Sequence, residues 1–203
     1  MGDPDLSGPR RAAFIDRDGV INELVTDPVS GLPESPLARD EVVLIAGAAP
    51  ALRAIARAGW LLVGVSNQPA AAKGKTSVAQ LDAVQARVLE LLAAEGVGFD
   101  SFHICLHHPD GVVPELSGAC ECRKPAPGML LDAADDLGID LGASWMIGDT
   151  DSDVLAGARA GCRTILIEQP GSGHKRSGQA QPDVVLADLA AAGAFLAGYA
   201  SRS

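Results

Sequence analysis

Six short apolar runs, at Ala12 to Asp16, Trp60 to Val65, Phe102 to Leu106, Trp145 to Ile147, Thr164 to Ile167 and Val184 to Leu186, punctuate this chain. Between most of them the apolar residues recur at helical spacing, which sets strand against helix from end to end. Helices are expected at Ala48 to Ala58 before Gly59, from an N-cap at Thr76 to Glu95, at Gly128 to Leu137, at Val154 to Ala160 before Gly161, and at Leu189 to Ala197. Runs such as Trp60 to Val65, apolar throughout, suit strands covered on both faces. The fold class that follows is α/β, a doubly wound and mainly parallel sheet. With 203 residues, 47% of them hydrophobic, the chain fills one domain, expected over 12–200, behind a frayed tail at 1–11.

In such a sheet ligands bind beyond the carboxyl ends of the strands, so chemistry should appear as polar residues directly after apolar runs. The first run ends in Asp16-Arg17-Asp18-Gly19, the second in Ser66-Asn67-Gln68, and the fourth in Gly148-Asp149-Thr150-Asp151-Ser152-Asp153, with Arg123-Lys124-Pro125 in the loop before it. Two acids one residue apart on a strand point to opposite sides, and Gly19 supplies the bend that brings both toward one crevice. A calcium loop is the competing reading of Asp-x-Asp-Gly. It lacks the later acids, and Asp27 stands where the closing glutamate belongs.

Three acids, a hydroxyl and an ammonium in one crevice match phosphoryl transfer through an aspartate. A carboxylate attacking a phosphate dianion needs a hard divalent cation, and Mg²⁺ suits oxygen ligands from Asp16, Asp149 and the carbonyl of Asp18. Lys124 balances the remaining charge, Ser66 and Asn67 face the phosphoryl group, and amides after Asp16 cradle another oxygen. Asp18 is placed to protonate the leaving oxygen and then deprotonate water. Asp153 is either a further metal residue or a plain helix cap.

The segment from Arg17 to Asp40, broken by Pro28, Gly31, Pro33 and Pro36, is read as neither helix nor sheet; it is a substrate-facing loop or a surface excursion. Cys105-x-His107, twelve residues, then Cys120-x-Cys122 supplies three thiolates and an imidazole, a tetrahedral set for structural Zn²⁺, with His108 as rival to His107. His103 and Cys162 read as core residues. Zinc there would pin the loop that carries Arg123 and Lys124.

The net charge of −10 argues against nucleic acid or an anionic membrane as partner. No run is long enough to span a bilayer, and 1–11 lacks the apolar core of a secretory signal, so a cytoplasmic monomer acting on a small phosphorylated substrate is expected.

Asp16-Arg-Asp18-Gly-Val, Ser66-Asn-Gln, Arg123-Lys124-Pro and Gly148-Asp149-x-x-x-Asp153 resemble, in order, the four motifs of the haloacid dehalogenase (HAD) superfamily. That resemblance implies a Rossmann-like core, Mg²⁺ and an aspartyl-phosphate intermediate. It makes Asp16 the nucleophile, Asp18 the acid/base, Ser66 and Lys124 phosphate binders and Asp149 a metal ligand. The zinc-type loop ending in Cys-Arg-Lys-Pro resembles the heptose bisphosphate phosphatases and the related histidinol-phosphate phosphatases, which lack a large cap domain. Their substrate selection would fall to the loops at 17–40, 68–76 and 105–127. Lys73 and Arg123 offer cations for a second phosphate, with a solvated lysine as the alternative for Lys73. Pro69, Ala70 and Thr150 depart from the family pattern.

Overall fold

A computed structural model describes residues 10–200. Six strands, β1 (Ala12–Ile15), β4 (Leu61–Asn67), β5 (Ser101–Cys105), β6 (Trp145–Gly148), β7 (Arg163–Ile167) and β8 (Val184–Leu186), form one sheet in the order β5-β4-β1-β6-β7-β8. Every neighbouring pair is parallel. The chain works outward from β1 through β4 to β5, then crosses back to β6 and outward again. The direction of winding reverses beside β1, which opens a crevice past its carboxyl end.

Side-chain alternation sorts the core into two layers. Ala13, Ile15, Leu62, Trp145 and Ile147 pack against α1 (Ala48–Arg57), α2 (Val78–Ala94) and α5 (Leu189–Ala200). Ala12, Phe14, Val65 and Met146 pack against α3 (Gly128–Leu137) and α4 (Asp151–Ala160). Because β1 is buried on both faces, only its ends are open to polar chemistry.

The expected elements all form, with boundary changes that have physical causes. Ser77, rather than Thr76, caps α2, its side chain accepting from the Gln80 amide. α4 begins at Asp151, three residues before the expected Val154. Thr150 and Asp153 close a reciprocal capping box there, so the polar residues read as loop are the first turn.

The segment 17–40 is not free of sheet. β2 (Val25–Thr26) and β3 (Pro33–Glu34) pair antiparallel, and Pro33 is tolerated because this two-strand ribbon asks no further ladder of its nitrogen. At its tip Asp27 accepts from the amides of Val29 and Ser30.

The tail expected at 1–11 lies outside the described residues for 1–9, whereas Arg10 and Arg11 are anchored. Arg10 bridges to Ile139, and Arg11 stacks 4.5 Å over the Trp60 ring while donating to the Ala58 carbonyl.

Candidate active site

The carboxyl ends of β1, β4 and β6 meet at a cleft of about 430 Å³ lined by Asp16, Asp18, Ser66, Lys124 and Asp149, among others. Asn67, Lys73 and Arg123 line it as well, so every residue expected at the phosphate and Mg²⁺ site reaches one cavity.

Lys124 sits at its floor. The ammonium lies 2.9 Å from Asp16 and 2.6 Å from Asp153 and donates to the Val65 carbonyl at 2.7 Å. Asp153 is therefore both a cap and the anionic partner of Lys124. Its other oxygen accepts from the Thr150 amide and hydroxyl. Asn67 lines the cleft, but both ends of its amide hold the Lys124 backbone, donating to the carbonyl at 2.8 Å and accepting from the amide at 3.0 Å. It fixes the lysine, and the second N–H of its amide remains for a ligand.

Asp18 is the most heavily hydrogen-bonded acid in the cleft. It accepts from Arg17 through two nitrogens, at 3.1 and 3.0 Å, and from Asn22 and Gln68. Burial pushes its carboxyl up, but the Arg17 guanidinium and these donors outweigh that and hold it below the ordinary carboxylate range. Arg17 is wholly buried and its remaining nitrogen donates to Gln85. Nothing in the sequence marks Arg17, since an arginine between two acids looks like a solvated charge. Gln68 also donates to the Ser66 oxygen at 2.9 Å, which leaves the Ser66 proton free for an incoming acceptor. Of the amides after Asp16, those of Arg17 and Gly19 are engaged, with Asp16 itself and with Asn22; the Asp18 amide has no partner among the described residues.

The opposite wall is built by a segment that carried no motif. Ser172, buried in the turn Pro170–Lys175, donates to one oxygen of Asp149, and Arg176 donates to the Asp149 carbonyl at 2.7 Å. The other Asp149 oxygen is buried without a hydrogen-bond partner. Gly19, at φ +85°, passes so close that a Cβ there would lie 2.3 Å from Asp149. Only glycine both makes the turn and leaves room for the acid.

These features fit a divalent cation. Carboxylate oxygens of Asp16, Asp149 and Asp153 lie within 4.8 Å of one another, and Asp149 presents an unpaired one. Asp16 and Asp153 both lie against Lys124, while one oxygen of Asp149 and, that ion pair aside, one of Asp153 lack a hydrogen-bond partner, so these three carboxylates are the candidate side chains for the ion. Burial, the Asp153 charge and neighbouring acids push Asp16 up to about 8 despite Lys124. Burial and Asp153 push Asp149 up to about 6. Acids raised in this way are those a bound cation would relieve.

A second group gathers Cys105 Sγ, His107 Nδ1, Cys120 Sγ and Cys122 Sγ within 4.8 Å. Five of their six separations run from 3.1 to 3.8 Å. A tetrahedral zinc with bonds of about 2.3 Å would ask for edges of about 3.8 Å, so the set closes on such an ion with small shifts. His108 is excluded from the group and accepts from the Asp110 amide instead. Arg123 donates to the His107 carbonyl, tying this cluster to the cleft wall. Cys162 is buried away from it.

Parallel α/β winding, a strand-end Asp-x-Asp and the Lys–Asp pair define a HAD-like hydrolase. The family model described as HAD-hydrolase-like matches residues 121–192. D-glycero-beta-D-manno-heptose-1,7-bisphosphate 7-phosphatase from Yersinia pestis is 38% identical over 88% of this chain and 91% of its own length. Its counterpart from Escherichia coli K12 is 37% identical over 88% and 90%. The solved D,D-heptose 1,7-bisphosphate phosphatase of B. bronchiseptica, complexed with magnesium and phosphate, superimposes with a TM-score of 0.73 at 29% identity, covering 93% of this chain and 99% of that one. The chain belongs to this family of HAD phosphatases, which contains the heptose bisphosphate enzymes.

Proposed function

We propose that this protein is a Mg²⁺-dependent phosphatase that removes the C7 phosphate of D-glycero-D-manno-heptose 1,7-bisphosphate through an aspartyl-phosphate on Asp16. The observation that carries the reading is the Asp149 carboxylate, buried beside Asp16 with one oxygen held by Ser172 and the other unpaired. Mg²⁺, held by Asp16, Asp149 and the Asp18 carbonyl, would neutralise the charge that builds when carboxylate meets phosphate.

The protein's own groups do the rest. Asp16 attacks phosphorus while the bond to the sugar oxygen breaks, and that oxygen takes a proton delivered by Asp18, which must first draw it from solvent because its carboxyl is held below the ordinary range. Water then attacks the aspartyl-phosphate, gives its proton to Asp18 and frees Asp16. The donors around Asp18 favour its carboxylate form, the one that accepts this second proton. Ser66 and the Asp18 amide donate to phosphoryl oxygens, and Lys124 holds Asp16 in line. Zn²⁺ in the Cys105, His107, Cys120, Cys122 group fixes the loop that carries Arg123, and Lys73 and Arg123 receive the second phosphate. We read 12–200 as one catalytic domain acting as a cytoplasmic monomer with no nucleic-acid or membrane partner. In keeping with that, no helix among the described residues is long and apolar enough to cross a membrane.

Phosphate release from both heptose bisphosphate anomers, histidinol phosphate, fructose 1,6-bisphosphate and an aryl phosphate tests the assignment. A heptose bisphosphate should lead by tenfold or more, and equal low rates on all would refute it. Asp16→Asn should abolish turnover with the fold intact.

A further inference from the structure

Glu34 is an anomaly in a cleft that receives an anion. Asp16 and Asp149 fit a cation and Asp18 is paired with Arg17, but Glu34, on the β2–β3 ribbon, has no task in handling metal or phosphate. A bare carboxylate there would repel the substrate. It is not bare: Lys175, from the turn after β7, lies 2.8 Å away, and both residues line the catalytic cleft. The pair links two loops across the mouth, with side chains 39% and 31% exposed, open to a ligand. Ion pairs this exposed add little to stability, so folding energy does not explain it.

Position suggests what does. A second cleft, of about 210 Å³, adjoins the first, and Glu34 and Ser35 line both. A ligand whose phosphate rests at Asp16 and whose body extends outward passes Glu34. Carboxylates accept hydrogen bonds from hydroxyls and donate none, whereas ammonium groups donate and accept none, so together the two read both halves of a hydroxyl's bonding capacity.

We propose that Glu34 and Lys175 form a polyol-recognition pair that selects the hydroxyl-bearing body of the substrate. Lys175 cancels the charge that would otherwise bar the anion, and Glu34 accepts from the sugar hydroxyls. This deepens the sugar-phosphatase reading and rests on it. It names Glu34 as the residue through which the 17–40 loop selects substrate and adds the turn after β7, through Lys175. Neither residue takes part in bond breaking, so their effect should fall on substrate choice.

The test uses the Mg²⁺-loaded full chain, with Glu34→Gln and Lys175→Met compared on the best sugar phosphate and on 4-nitrophenyl phosphate, which carries no sugar hydroxyl. The ratio of the two kcat/KM values should fall at least tenfold in each variant, mainly through KM for the sugar phosphate. The double variant should lose little beyond either single one, because the pair acts as a unit. If wild type discriminates and Glu34→Gln keeps the ratio within twofold, the pair is overturned while the sugar-phosphatase reading stands. If wild type does not prefer sugar phosphates, both fall. Equal losses on the two substrates would reduce the pair to a structural link between loops and also overturn the proposal.

Discussion

Lys124 and Asp153 meet 2.6 Å apart, their side chains each 1% exposed, beneath the nucleophile. Neither charge has water to fall back on, so removing one strands the other. Asp153→Ala should lower unfolding free energy by about 3–5 kcal/mol, as buried ion pairs do when one partner is deleted. Urea denaturation at pH 7.5 measures it. Lys124→Met should lose turnover as well, since Asp16 would then face Asp149 and Asp153 without a cation. A loss of under about 1 kcal/mol for Asp153→Ala would mean that the pair relaxes into solvent.

Arg17 holds Asp18 through a two-nitrogen fork that a lysine does not reproduce. Burial alone would raise Asp18, and the guanidinium is the largest influence opposing it. Arg17→Lys should therefore move the Asp18 limb of the kcat/KM profile to higher pH. An unmoved limb would show that Gln68 and Asn22 suffice to set the acid.

Asp16 and Asp149 predict how metal and pH interact. Their carboxyls, raised from 3.8 to about 8 and about 6, stay protonated in the metal-free fold at pH values where the unfolded chain has released those protons. Stability from these groups is thus lost as pH rises from the ordinary carboxylate range through 6 and 8. In chelator, thermal melts from pH 5 to 8.5 should show that decline, and saturating Mg²⁺ should flatten it. Mg²⁺ affinity should rise over the same window, with protons released on binding. A metal-free protein whose stability does not fall with pH would contradict the assignment.

Ser172 orients Asp149 from a distant turn. Its replacement by alanine should weaken Mg²⁺ binding by about 10- to 100-fold, the usual consequence of removing a ligand's hydrogen-bond partner. Titration calorimetry reads this directly, whatever happens to turnover.

The Cys105, His107, Cys120 and Cys122 group should carry roughly one equivalent of zinc that survives Mg²⁺ chelation, measured by metal analysis. Burial and neighbouring sulfurs push the Cys122 thiol up, so metal binding there must release its proton. Cys122→Ser should lower the melting temperature and raise KM more than it lowers kcat. Purified protein free of zinc would refute the site.

Much of this was legible locally. The six apolar runs mark six strands, because a parallel strand buried on both faces must be apolar along its length. Asp16, Asp18, Ser66, Lys124 and Asp149 announce themselves because chemistry in such a sheet gathers at strand ends, and Gly19 marks the turn between two of them. The cysteine spacing likewise points to a metal-binding group, and the fold, by gathering His107 and turning His108 to the Asp110 amide, chooses between the two histidines.

Other features depended on partners far away in sequence. That Asn67 meets the Lys124 backbone is decided by the distance between β4 and the loop before α3. That Asp153 meets Lys124 depends on how α4 sits against the loop that β4 holds through Asn67 and Val65. Arg17 looks like a surface charge until packing closes over it and turns its fork onto Asp18. Ser172, Glu34 and Lys175 lie in loops without motif or periodicity, and they join the site only because the β7 turn and the β2–β3 ribbon flank the same crevice. The sequence alone determined the strands, the turn and the reactive groups, since each follows from local pattern and charge. Tertiary structure alone decided which of those groups are already engaged and which remain for a ligand, since hydrogen-bond partners are assigned by distance in space.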